Sequence, residues 1–325
     1  MGVKRKVKMR TDDGIVTLGE AFVDFTIDKG ALNRSPKTLA NYAQSIRYFA
    51  DSLPDGDATA LNEISKQDIQ EWMLAMFQDK MRVSTINHYL RDLRTFLYWC
   101  MAKERKYIYP FTIELAKGQE DLPKMFSDEE VALLLIKPTH NNFVDWRTWA
   151  ICNWVLATGN RASTICNVRM CDIDFKNKQI ALAHTKNKKA QVIPLSSALE
   201  TALRLYIRKC RNGKDVYEDS WLFPSVSEEQ LTYSALAQSF RKYCKDRDLE
   251  HTNIHGLRHY FATYWAKNNR GDGDRLQLIL GHTDYTMTKR YIDLTIEDLK
   301  ENYDDYNPLD SMKKPKSHRK KVNMA

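Results

Sequence analysis

Apolar residues recur at three- and four-residue intervals through the first hundred positions, and this spacing predicts four helices. Thr17 and Glu20 make a capping box at the head of the first, with Phe22 and Phe25 on one face. Ser35 and Pro36 supply an N-cap and a first-turn proline for the second, where Leu39, Tyr42, Ala43, Ile46 and Phe49 follow at helical spacing. Pro54-Asp55-Gly56 stops it. Ser65 opens a third helix whose inward residues are Ile69, Trp72, Met73, Met76 and Phe77. Ser84 opens a fourth that turns Ile86, Leu90, Leu93 and Leu97 inward. Four such helices on short connections predict a small bundle over residues 15–105.

Periodicity fails over 106–123, where Pro110, Gly118 and Pro123 punctuate the chain, and this stretch reads as a linker. A second domain is expected over 124–306. Ser127 and Glu130 repeat the capping-box pattern ahead of Val131, Leu134 and Leu135. The segment from Trp146 to Ala157 is apolar enough for a buried helix that stops at Thr158-Gly159, and another helix is expected beyond Arg161, to about Arg169. Then the period falls to two. Residues 173–175, 179–183 and 191–195 read as three short strands with turns between them. Helices resume at Ser196 and run to about Asp305. The expected fold is mainly α with a small antiparallel sheet, followed over 307–325 by a basic C-terminal tail.

No apolar run approaches the ~20 residues of a membrane span, and no apolar stretch follows the basic N-terminus as a secretory signal would require. Six scattered cysteines without a C-x-x-C pair suit reduced thiols in a cytoplasmic protein rather than a disulfide framework or a metal site. The formal net charge of +8 is unevenly placed. Residues 1–10 and 311–325 hold eleven basic groups and no acid; without them 39 basic groups face 42 acidic ones. The basic character resides in the ends, which suit contact with a polyanion or with water alone.

Two helices of the bundle have polar faces that suit DNA. Lys37, Asn41 and Arg47 lie outward on the second, and Asn87, Arg91 and Arg94 on the fourth. Arginines and short amides reach phosphates and base edges. An ordinary solvated face has the same composition.

The candidate chemistry lies further on, as an ordered series: Arg161, Lys186, His255, Arg258, His282, Tyr291. His255 and Arg258 stand three apart at a helical start, so both can face one pocket. His282 follows a helix-breaking glycine, and Tyr291 comes nine residues later. Singly, each is unremarkable: an ion pair, a solvated lysine, one tyrosine among 16.

In order and with their neighbours, these residues resemble the tyrosine recombinase (phage integrase) family over roughly residues 15–305. The likeness is strongest in Ala157 to Asp174 around Arg161, in His184 to Leu195 around Lys186, and in His255-Gly-Leu-Arg258-His259 with Leu280-Gly-His282 through Tyr291. One position departs from the pattern: Thr164 stands where the family usually has a supporting acid.

The resemblance implies an N-terminal helical core-binding domain, a catalytic domain, and an enzyme that cuts and rejoins DNA. Tyr291 would attack the scissile phosphorus and form a 3′-phosphotyrosine, conserving the phosphodiester energy in a covalent bond. Arg161 and Arg258 would hold the nonbridging oxygens with forked hydrogen bonds, and His282 would add another. Lys186 would protonate the departing 5′-oxygen, and His255 would assist proton handling at the tyrosine. With two permanent cations on the phosphate, neither metal nor cofactor is implied. The implied partners are double-stranded core sites and three further copies in a tetramer on synapsed DNA, with room for a directionality factor and with no membrane. The apolar residues after Tyr291 (Ile292, Leu294, Ile296 and Leu299) would pack into a neighbouring subunit or against their own domain. A mobile-element integrase or transposase is the first reading and a chromosome dimer resolvase the second. A type IB topoisomerase or a non-catalytic helical DNA-binding regulator are the alternatives outside recombination.

Overall fold

The computed structural model describes residues 15–102, 105–118, 125–182, 190–211, 217–268, 272–282 and 284–289. The chain divides into two compact units, Met1–Asp121 and Leu122–Ala325. No described helix is long and apolar enough to cross a membrane.

The first unit is built on α1 (Leu18–Ala31), α2 (Pro36–Ala50), α3 (Lys66–Gln78) and α4 (Val83–Met101). The expected caps form. Glu20 N–H donates to Thr17 Oγ1 while the Glu20 carboxylate accepts from Thr17 N–H, and Ser35 Oγ accepts from Thr38 N–H. At the head of α4 the N-cap falls on Arg82, without a side-chain bond, so Ser84 lies inside the first turn rather than opening it. Ile46, Phe49, Trp72, Met76, Ile86, Leu90, Leu93 and Leu97 are buried together. Phe22, Leu39, Tyr42 and Met73 are half-buried, and two expected core residues lie outside. Phe77 and Ala43 face solvent, because each lies about 100° around its helix from the buried stripe.

The stretch expected to be a linker is largely part of this unit. Ile108 and Ile113 are buried in its core, and Tyr107, Phe111 and Leu115 pack against it. Asn87 fastens the segment down: its Nδ2 donates to Ala116 O at 3.0 Å and its Oδ1 accepts from Ala116 N at 2.8 Å. Gly118 passes so close to Val83 that an added Cβ would lie 2.6 Å from Val83 Cγ2. The extended chain supplies its own core residues and satisfies its backbone through a side chain, and periodicity shows neither.

The second unit forms around α6 (Phe143–Thr158), which is apolar on all sides and buried. Helices α5 (Asp128–Leu135), α8 (Ser197–Cys210), α9 (Tyr233–Lys245) and α10 (Ile254–Asn268) pack against it. Arg147 is buried within α6, where Pro224 O accepts from NH1 at 2.6 Å and Ser239 Oγ lies 3.2 Å from NH2. Leu135, expected inside, is partly exposed at the end of α5.

After α6 the expected eight-residue helix shrinks to one turn, α7 (Ala162–Ile165). Asn167 Nδ2 caps Ser163 O at 2.6 Å, and the chain then leaves the helical ladder to bond Val168 O and Met170 N with Leu222 N and Ser220 O. The sheet is antiparallel in the order β1 (Ile173–Asp174), β2 (Gln179–Leu182), β3 (Gln191–Pro194), with Ile180 opposite Ile193. Two short helices, α11 (Gly273–Leu280) and α12 (Tyr285–Lys289), complete the described residues.

Replacing Asn87 by alanine leaves the Ala116 amide and carbonyl without their partner. The expected cost is about 1–3 kcal/mol, read as a lower urea midpoint of the Asn87→Ala protein. An unchanged midpoint would show that the segment is not held by this side chain.

Candidate active site

Helix α10 begins with an Asx turn, in which Asn253 Oδ1 accepts from His255 N–H at 3.0 Å. His255 is exposed on the first turn. Arg258, one turn on, is only 2% exposed. Its guanidinium reaches Gly159 O at 2.5 Å through NH1, and Leu280 O at 3.2 Å and His282 Nε2 at 2.7 Å through NH2.

Both carbonyls stand at helix C-termini. Gly159 ends α6 at φ +61° and Gly281 ends α11 at φ +62°, the left-handed conformation that stops a helix and leaves its last carbonyls open. Those ends carry partial negative charge and suit a cation. Neither glycine can be replaced cheaply. A Cβ on Gly159 would run into the Phe261 ring and lie 2.7 Å from Leu280 Cδ2; one on Gly281 would lie 3.2 Å from Gln191 Oε1.

His282 is buried between two partners, with Arg258 at Nε2 and the Thr288 hydroxyl 2.9 Å from Nδ1. Burial, with the Arg258 and Arg161 cations beside it, pushes its pKa down to about 4. The ring is therefore neutral near pH 7. Arginine only donates, so the network assigns Nε2 as acceptor and Nδ1 as the protonated nitrogen. Arg161, at the N-cap of α7, is half-buried and close enough to act on His282. His259 also belongs here: its ring centroid is 4.8 Å from that of His255, and burial and Arg258 lower its pKa.

Of the six sequence candidates, Arg161, Arg258 and His282 are brought together, and His255 opens the helix that carries Arg258. Lys186 and Tyr291 lie outside the described residues, as do the apolar segment that follows and the basic tail. Thr164, in the place of the usual acid, is buried, and its amide donates to Arg161 O at 2.9 Å. Two contributors escaped the sequence reading. Thr288 lay in view, three residues before Tyr291. Gln191 gave no signal, yet its Nε2 donates to Leu278 O at 2.5 Å and Ile279 O at 2.8 Å, tying β3 to the end of α11. Among the described residues no group of His, Cys, Asp or Glu is arranged to hold a metal ion.

The six candidates for DNA contact lie on α2 and α4, which are joined by Ser45 Oγ to Asp92 Oδ2 at 2.8 Å and by the Tyr48–Tyr89 ring contact. Lys37, Arg47 and Arg91 are exposed, while Asn41 and Arg94 are half-buried. Asn87 is the exception, since both ends of its amide serve Ala116.

The profile of the Phage integrase family matches residues 125–297, more than half of the chain. The chain belongs to the phage integrase family. Its N-terminal SAM-like domain profile matches residues 29–104. Relatives span nearly the whole chain. Tyrosine recombinase XerC of Bacillus subtilis (strain 168) is 27% identical over 281 residues, 85% of this chain and 92% of that protein. Tyrosine recombinase XerD of Oceanobacillus iheyensis (strain DSM 14371) is 28% identical over 284 residues, 84% of this chain and 93% of that protein. Among solved structures, the Tn1549 transposon integrase in complex with a circular intermediate DNA superposes with a TM-score of 0.73 at 20% identity, covering 89% of this chain and 99% of that one. A lambda integrase dimer bound to a COC′ core site gives 0.66 at 18% identity, covering 86% and 78%. These structures share the fold: a helical SAM-like domain followed by the catalytic domain of a tyrosine recombinase. The family's enzymes cleave and rejoin DNA through a tyrosine.

The pocket of this recombinase makes a stability prediction. An unfolded histidine takes up a proton near pH 6.5, whereas His282 resists protonation down to about 4. The unfolded state therefore binds more protons in that window, and stability should fall as pH drops from about 6.5 toward 4. In His282→Gln, denaturant midpoints should decline less between pH 7 and pH 5 than in the parent. An identical decline would show that His282 titrates normally in the fold.

Proposed function

We propose that this chain is a site-specific DNA recombinase whose Arg161, Arg258 and His282 form the binding pocket for the scissile phosphate. The convergence of two guanidiniums on a neutral imidazole carries the reading. Permanent planar cations in a buried setting stabilise the charge that develops on nonbridging phosphate oxygens. A phosphate oxygen is a stronger acceptor than an imidazole nitrogen. On binding DNA, Arg258 would turn part of its donor set from His282 to the phosphate, and the imidazole would pair with the same group.

The remaining roles rest on the matching sequence positions. Tyr291 attacks the phosphorus, the 5′-oxygen leaves with a proton from Lys186, and the 3′-phosphate stays on the tyrosine. His255, exposed at the mouth of α10, handles the proton on the tyrosine side. Reversal by a 5′-hydroxyl of another strand completes an exchange without an external energy source. Exchange of this kind calls for four subunits on two duplexes, with the segment beyond Tyr291 linking neighbours, and leaves room for a directionality factor. Lys37, Asn41, Arg47, Arg91 and Arg94 would meet DNA from the first unit, the catalytic unit engaging the same duplex. Asn87 would act indirectly, by holding the chain after α4.

For the biological role, an integrase or transposase of a mobile element is the first reading. Identities of 27–28% to the relatives above and Thr164 in the usual acidic position support a role apart from theirs. A chromosome dimer resolvase is the second, favoured by the near full-length likeness to XerC and XerD. Recombination between sites taken from the DNA flanking the gene separates the two.

The reading is tested on nicked suicide duplexes cut from that flanking DNA. The parent protein should form an SDS-resistant adduct in the presence of EDTA. Tyr291→Phe should bind the duplex with unchanged affinity and form none. An adduct in the Phe variant would assign the nucleophile to another residue. Strict dependence on a divalent metal would contradict the two-arginine pocket.

A further inference from the structure

Thr288 is wholly buried on α12, yet it keeps a hydroxyl where valine would fill the same volume. That hydroxyl lies 2.9 Å from His282 Nδ1, on the opposite edge of the ring from Arg258. A histidine ring has two nitrogens and, when neutral, one proton. The guanidinium needs an acceptor at Nε2, so the proton belongs on Nδ1 and needs an acceptor of its own. Among the described residues, Thr288 Oγ1 is placed to take it. The backbone amide of His282 is held separately, donating to Gln277 O at 3.1 Å, so the ring's orientation depends on its edge contacts.

We propose that Thr288 is a positioning residue for DNA cleavage. Its hydroxyl fixes His282 as the Nδ1–H tautomer with Nε2 turned to Arg258, so the helix that leads to Tyr291 must be seated before the phosphate pocket is complete. The proposal rests on the reading of that pocket as the phosphate site. It links two parts of the machinery that the chain separates. Thr288 lies six residues after His282 and three before the nucleophile, so a displaced α12 would withdraw the acceptor and free the ring to turn. An Nε2–H would then face the N–H groups of Arg258, two donors without an acceptor. Among the described residues, the charged groups acting on the ring include Arg258 from α10 and Arg161 from the head of α7; α11 contributes the Gln277 amide, which donates to His282 O at 3.2 Å.

The test uses the full-length protein and the variants Thr288→Val and Thr288→Ser, first without DNA. Long-range proton–nitrogen NMR spectra of the His282 ring should show a protonated Nδ1 and a bare Nε2 in the parent and in Thr288→Ser. In Thr288→Val the Nε2–H form should appear. Should valine disturb folding, Thr288→Ala is read in the same way. On the suicide duplexes, Thr288→Val should slow covalent adduct formation about tenfold, the worth of one buried hydrogen bond, with Thr288→Ser within about twofold of the parent. In a His282→Ala background, Thr288→Val should have no further effect. An unchanged tautomer in Thr288→Val and Thr288→Ala overturns the proposal, as does an equal slowing with and without His282. If the parent forms no adduct on any flanking duplex, the functional reading fails, while the ring spectra still decide the role of Thr288.

Discussion

A buried guanidinium is costly unless its N–H groups are matched, and the candidate site of the second unit is arranged around matching that of Arg258. Desolvating a cation costs several kcal/mol, which is recovered only through well-placed acceptors. Arg258 finds them at the open ends of two helices. The carbonyls of Gly159 and Leu280 are left over by helical geometry, and both helices stop there because a glycine adopts a left-handed conformation. One side chain thus brings together the C-termini of α6 and α11, and the residue after the second glycine, His282, adds a further acceptor. The site is a consequence of how the core helices end.

The same arrangement sets the electrostatics. With Arg258 and Arg161 beside a buried ring, His282 stays neutral and serves as an acceptor. The pocket therefore brings fixed positive charge together around a neutral ring. Thr164 fits this picture, since a buried threonine in the turn after Arg161 brings no charge of its own. Such a pocket is a poor resting state for a folded protein and a good receptor for a phosphodiester.

Much of this was legible in the chain. Caps at Thr17, Ser35, Ser65 and Ser127 and the apolar spacing beyond them located helices, because these signals are local. The series from Arg161 to Tyr291 located the chemistry, because order and spacing survive when overall identity is low. Long-range relations were not legible. Nothing near residue 87 signals that Asn87 will clasp Ala116, and nothing near residue 191 signals that Gln191 will grip the end of α11. The helix expected after Arg161 also overran, since it is cut short by pairing with a segment fifty residues away. Thr288 illustrates the middle case: its position was plain, but its partner depended on where α12 settles against His282.

The claim on which the rest depends is that the forked geometry of Arg258, and not its charge alone, holds the two helix ends and the imidazole in place. Arg258→Lys keeps the charge and removes the fork. Amide hydrogen exchange in this variant is the direct measurement. Loss of protection confined to Gly159, Gly281 and His282, with the buried amides of α6 and α8 still protected, is the result the account predicts. Unchanged protection at those three amides would contradict it, showing that the turns hold themselves and that the arginine is only a guest between them.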